Sequence, residues 1–214
     1  GRNRYSNEQE LDDYQRFVTR RIADGVTRAA NLLRPAEVAF GTVDIPEYVH
    51  NRRWLMREGS VPPNPFGKID KARMNPPVAS PDLVEPAGPV DPTVSIIAFR
   101  EPGGRLIAVY SAYSQHYIGG TGPAHVSADY YGVFCEALKK LQVDGEADPP
   151  FVAMLANGTS ADINSTDRVN PRPGQPAYVR MRSIAEDMAE KVNAVLPGMS
   201  WKASAPLAAR FVEL

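Results

Sequence analysis

Apolar residues near the start of the chain recur at mostly three- and four-residue intervals: Leu11, Tyr14, Phe17, Val18, Ile22, Val26, Ala29 and Leu33. This spacing predicts an amphipathic helix over 6–33, with Ser6 and Gln9 as a capping box and Pro35 as its stop. The pattern then shortens to an alternation over Val38–Ile45, a strand closed by Pro46. Residues 46–92 show neither period. They hold much of the proline, in runs such as PPNPFG and SPDLVEPAGPVDP, and read as a long proline-rich loop that covers a site or forms a subunit contact.

Two β-rich runs follow, Val94–Arg100 and Arg105–Ala112, around the turn sequence Glu101-Pro102-Gly103-Gly104, which predicts a hairpin. The second run leads through a glycine-rich loop carrying His116 and His125 into a helix over Ala128–Leu141, opened by Ser127 and Asp129. The all-apolar FVAMLA of Phe151–Ala156 predicts a central strand covered on both faces. A helix over Ala177–Leu196 stops at Pro197-Gly198, and Ala208–Leu214 reads as a last strand. This order predicts an α/β fold, a mixed sheet with flanking helices, over one domain spanning 1–214.

Composition narrows the function classes more than it changes the fold. Apolar residues make up 43%, enough for an ordinary core, and a net charge of −1 argues against a nucleic-acid partner or an anionic membrane surface. No apolar run reaches the roughly 20 residues of a membrane span. The one cysteine, Cys135, excludes an intrachain disulfide and a cysteine-built zinc cage; in a helix it reads as a small buried residue rather than a nucleophile. The opening Gly1-Arg2-Asn3-Arg4 does not resemble a natural start, so a piece of a larger domain is expected.

The candidate chemistry gathers at strand ends, where α/β proteins place their sites. His116 follows the hairpin, and Asn157-Gly158-Thr159-Ser160-Ala161-Asp162-Ile163-Asn164 follows the apolar strand. His116 is the best metal donor, with Asp129 and Asp162 as ligands or as groups behind them, but no HxH, HExxH or CxxC completes a site. Ser160, His116 and Asp162 are the residue types of a triad, without a GxSxG elbow. Gly119-Gly120-Thr121-Gly122 lacks the Lys-Ser/Thr of a phosphate loop. In His50–Gly59, Arg52, Arg53 and Arg57 form a solvated basic turn, or one of them points inward to hold an anion or polarise a carbonyl.

Three segments in order resemble the catalytic domain of the neutral/alkaline non-lysosomal ceramidase family, in particular an uncharacterised bacterial branch. They are His50–Met56 continuing to Pro81–Pro92, then His116 with Ser127-Ala128-Asp129-Tyr130, and then Asn157–Asn164. The resemblance implies the interior portion of a zinc-dependent hydrolase domain that cleaves an N-acyl, ceramide-like amide by metal-activated water. His116 stands at a zinc-ligand position, and the remaining Zn2+ ligands are expected outside this segment. Arg52 matches the arginine that faces the substrate carbonyl, with Asn51 and Ser160 beside the substrate. Asp162 is retained from the family's catalytic serine motif, and Asn164 holds the place of its serine. The expected partner is a small-molecule or lipid amide, and the expected location is secreted or extracytoplasmic. A catalytically silent binding module, and a hydrolase of another substrate, are the alternative readings.

Overall fold

The computed structural model describes residues 10–142 and 150–213. The chain divides into two compact units, Gly1–Pro35 and Ala36–Leu214. In the first, helix α1 spans Asp13–Asn31. Its cap is Asp12, whose Oδ1 accepts from Gln15 N at 2.7 Å while Gln15 Oε1 accepts from Asp12 N at 2.9 Å. The start therefore falls later than expected: Asp-x-x-Gln closes the same reciprocal box that Ser6 and Gln9 suggested. Those two residues lie outside the described part. The apolar stripe forms as its spacing requires, and Tyr14, Phe17, Ile22 and Val26 are exposed on it.

The second unit is built on a sheet of β1 (Glu37–Asp44), β6 (Thr93–Arg100), β7 (Leu106–Tyr113) and β8 (Val152–Asn157), in that order. The first three are antiparallel, with Val43 opposite Val94 and Ala98 opposite Val109, and β8 runs parallel to β7. The mixed α/β architecture is the expected one. Alternation puts Val94, Ile96 and Ala98 of β6 and Val109, Ser111 and Tyr113 of β7 on the buried face. Helix α2 (Asp129–Gln142) covers this face with Tyr130, Phe134 and Leu138, and helix α3 (Val179–Val195) with Met181, Ile184, Ala185, Met188 and Val192. Each large side chain so buried contributes roughly 1.5–3 kcal/mol.

Three expectations are corrected. The segment 46–92 carries four short strands: β2 (His50–Asn51), β3 (Arg53–Met56), β4 (Ala72–Met74) and β5 (Leu83–Pro86). β3 is the middle of a three-stranded sheet between β4 and β5, and its prolines sit in the connections or, as Pro86, at the end of an outer strand, where no ladder N–H is needed. Strands of two to four residues are too short to show a period. β8 lies at the sheet edge rather than its centre, with Val152 and Met154 exposed on the face away from the helices. No strand forms over residues 208–213; Leu207 and Phe211 are exposed there, and Leu214 is not described. Cys135 is half-buried and its thiol is pushed up by burial, which suits a packing residue rather than a nucleophile.

Candidate functional site

Parallel pairing of β7 with β8 brings their C-terminal ends, Tyr113 and Asn157, side by side. The two following loops are tied at once. Gly158 N donates to Tyr113 O at 2.9 Å, and Thr159 N donates to Ser114 Oγ at 3.2 Å. A Cβ on Gly158 would stand 2.7 Å from Ser114 Oγ and 3.1 Å from Ser114 N, so this approach requires glycine. The chain then folds back, with Ser160 N donating to Gly158 O and Ile163 N to Ser160 O, each at 3.0 Å, and Ser160 is buried in the turn. The turn delivers β9 (Ile163–Asn164), which pairs antiparallel with β2, His50 opposite Asn164 and Asn51 opposite Ile163.

This two-residue ladder assembles four of the sequence candidates. Asn51, 3% exposed, donates from Nδ2 to Asp162 Oδ2 at 3.0 Å and accepts Arg53 N on Oδ1 at 2.9 Å. Arg52 donates from its backbone N to Asp162 O at 2.7 Å and from Nη2 to Ala161 O at 2.6 Å. Its Nε is buried without a partner, so the guanidinium is anchored at one end and keeps an unspent donor. Asn164 Oδ1 accepts Thr166 N at 2.9 Å, an Asx turn. Gly88 closes the far wall, where a Cβ would reach within 3.2 Å of Asn51 Nδ2.

His116 lies on the neighbouring loop. Its backbone carbonyl accepts from Gln115 Nε2 at 2.8 Å, and Tyr130 and Tyr131 both donate their hydroxyls to Gln115 O, at 3.0 and 3.2 Å. The loop is therefore held against α2 while His116 Nδ1 and Gln115 Oε1 stay buried and unpaired. Asp129 is not available as a metal ligand: its carboxylate accepts from the N–H groups of Ile118, Gly119 and Tyr130, at 2.9, 2.9 and 2.7 Å, and so pins the loop to the helix. His116 Nδ1 makes no hydrogen bond and Asp162 is bonded to Asn51, so the base-to-carboxylate link of a Ser160–His116–Asp162 triad is not formed. Among the described residues no three His, Cys, Asp or Glu side chains are grouped to hold a metal ion. His116 offers one donor of the right type for zinc, which is not by itself a site.

Sequence reasoning passed over two features. His50 has a buried, unpaired Nε2, and burial, ahead of the Arg172 and Arg180 charges, lowers its pKa against the pull of Asp167. Its place in the basic segment was the only signal. A cleft of about 320 Å³ opens beside the ladder, between Ile118–Gly120 and the segment from Ser165 to Arg180. Arg172, Arg180, Asp167 and Tyr178 line it, and Arg180 Nη2 donates to the carbonyl of Ser165.

A mixed α/β unit with its polar residues at strand ends is the class of protein that fold and geometry define. Its fold is ceramidase-like. The chain is similar in structure to neutral ceramidase from Pseudomonas aeruginosa, with a TM-score of 0.51 and 16% identity over 83% of this chain and 24% of that one. It is similar also to a ceramidase complexed with C2, with a TM-score of 0.57 and 18% identity over 84% of this chain and 26% of that one. The chain thus spans about a quarter of the length of these structures. No protein-family model and no curated protein matches the sequence.

Proposed function

We propose that this chain is part of a zinc-dependent hydrolase that resembles neutral ceramidase and cleaves an N-acyl amide. The observation that supports the reading is His116, whose ring Nδ1 is buried and unpaired in the loop that follows the hairpin strand of this ceramidase-like fold. His116 would hold the metal from one side, with its other ligands supplied from outside the described residues. Zinc, when bound, supplies Lewis acidity toward the amide carbonyl and its attacking water.

The protein's own groups do the rest. Arg52, fixed by Ala161 O, presents its remaining donors to the carbonyl oxygen and stabilises the charge that develops there. Asn51 and Asp162 hold the arginine-bearing segment between β2 and β3 against the 157–164 turn, and Ser160 shapes that turn. Asn164 favours a second reading, a catalytically silent binding module, because its amide is occupied in an Asx turn and is not a nucleophile.

Elemental analysis of the complete protein beside His116→Ala separates the two. The enzyme reading expects about one zinc per chain, lost in the variant. Arg52→Ala should keep the metal and lose roughly 10²–10³-fold in turnover of an N-acyl amide. A folded protein without zinc, or one whose zinc survives His116→Ala at full affinity, would overturn the hydrolase reading.

A further inference from the structure

The cleft beside the ladder carries two arginines and one carboxylate, Asp167, among the described residues. Arg172 and Arg180 both line it, and among the described residues neither guanidinium forms an ion pair with a carboxylate. Only the Ser165 carbonyl takes a hydrogen bond from Arg180, and Arg172 makes none. We propose that this cleft is an anion site, in which Arg172 and Arg180 hold the carboxylate or phosphate group of a small molecule.

Three features support it. The volume, about 320 Å³, suits a small ligand group rather than a single water. Arg180 is the second residue of α3, at the helix end whose dipole is already positive, and Arg182 follows it; no acidic residue occupies that first turn. Tyr178, at the N-cap, gives no side-chain cap and holds φ at 69°, a left-handed conformation unusual for a tyrosine. Each choice is unfavourable for the helix alone, and an anion in the cleft reverses the sign of the electrostatic ones. Burial, and then the charge of Arg172, also lower the Arg180 pKa, the cost that a bound anion would relieve.

Asp167 lines the same cleft and keeps its charge, since hydrogen bonds from Val169 N, Asn170 N and Asn170 Nδ2, at 2.8, 3.1 and 2.9 Å, hold its carboxylate below the usual range in spite of burial. It forms no ion pair with either arginine, so two cationic groups face one anionic one. The wall opposite the arginines includes Gly119 and Gly120, which adopt φ of 71° and 70°. Tyr178 N donates to Gly120 O at 2.8 Å and so joins the two walls. The site stands on these contacts and does not depend on zinc.

The test is an NMR titration of the full chain in chloride buffer, with inorganic phosphate in one arm and acetate in the other. Saturable shifts are expected at the amides of Gly119, Gly120, Val179 and Arg180. Arg172→Gln should weaken binding roughly tenfold or more, and Arg172→Lys should weaken it less. Arg172 is exposed, so an unchanged melting temperature in both variants shows that the fold is retained. Saturation by phosphate alone assigns a phosphate-bearing ligand, and by acetate alone a carboxylate-bearing one. Shifts that never saturate in either arm, or binding in Arg172→Gln as tight as in the wild type, would overturn the anion site.

Discussion

The β2–β9 ladder and the Arg172–Arg180 cleft lie on adjoining pieces of chain and treat polar groups in opposite ways. At the ladder, Asn51 spends both ends of its amide, on Asp162 and on Arg53 N, and Arg52 is tied to Ala161 O and Asp162 O. At the cleft, two like charges line one wall and neither is ion-paired among the described residues, although Asp167 lines it too. Satisfied polar groups cost little to bury and hold a fold in one arrangement; unsatisfied ones cost stability and are left where something else is to bind. The Asn51–Asp162 pairing of the ladder is therefore read as the frame, and the cleft, with Arg52 Nε and His50 Nε2 left unpaired beside it, as the receiver.

The largest effect expected on stability comes from breaking the frame. Asn51→Ala leaves Arg53 N and Asp162 without their partner in a closed space, a loss of about 2–4 kcal/mol for two such groups. Urea unfolding should show it as a lower midpoint at unchanged m-value, and a midpoint within error of wild type would mean that the ladder is not a frame. Gly158→Ala comes next. Its Cβ would press on the Ser114 backbone as well as on Oγ, and backbone gives way less readily than a side-chain tip. The expected cost is about 1–3 kcal/mol. By contrast Arg172→Gln, on the receiver, should change stability by less than about 0.5 kcal/mol in the absence of an anion. If Arg172→Gln is the more destabilising of these variants, the comparison is inverted.

How much of this was legible in the sequence follows the same division. The hairpin could be read to within a residue at most ends, because Val94, Ile96 and Ala98 alternate with exposed positions and Gly103 and Gly104 mark the turn. The covering helices were legible from their 3.6-residue period. Asn51, Arg52 and Asp162 could be grouped only by resemblance, since a two-residue strand has no periodicity and its partner lies more than a hundred positions away. The edge position of β8 was not legible: an apolar run looks the same whether its second face is covered or open. The cleft was missed because Arg172 and Arg180 are separated by Pro173-Gly174-Gln175-Pro176-Ala177-Tyr178-Val179, which carries no motif, and no pattern announces a tyrosine with positive φ at a helix start.

The smallest effect sits where the two regions meet. His50 pairs with Asn164 in the ladder, yet its imidazole feels Asp167, Arg172 and Arg180 from the cleft side, and a hydrogen bond with the Glu47 backbone from its own. Burial is the leading influence and the two arginines add to it, so the pKa falls below the ordinary histidine value in spite of Asp167. A histidine with a lowered folded pKa binds fewer protons folded than unfolded. Its cost is therefore absent above the unfolded value of about 6.5 and grows as the pH drops through it toward the folded value. Melting temperatures in chloride buffer at pH 7 and pH 5 should fall further for the wild type than for His50→Gln. The interval lies above the pH range in which Asp167 and Glu47, both held below the usual carboxylate range, would titrate. Added phosphate should shrink the wild-type drop, because an anion between the arginines removes part of the repulsion that keeps His50 neutral. An equal drop in both proteins would mean that the fold does not lower the His50 pKa, and a wild-type drop that phosphate leaves unchanged would place His50 within the frame, uncoupled from the charge of the cleft.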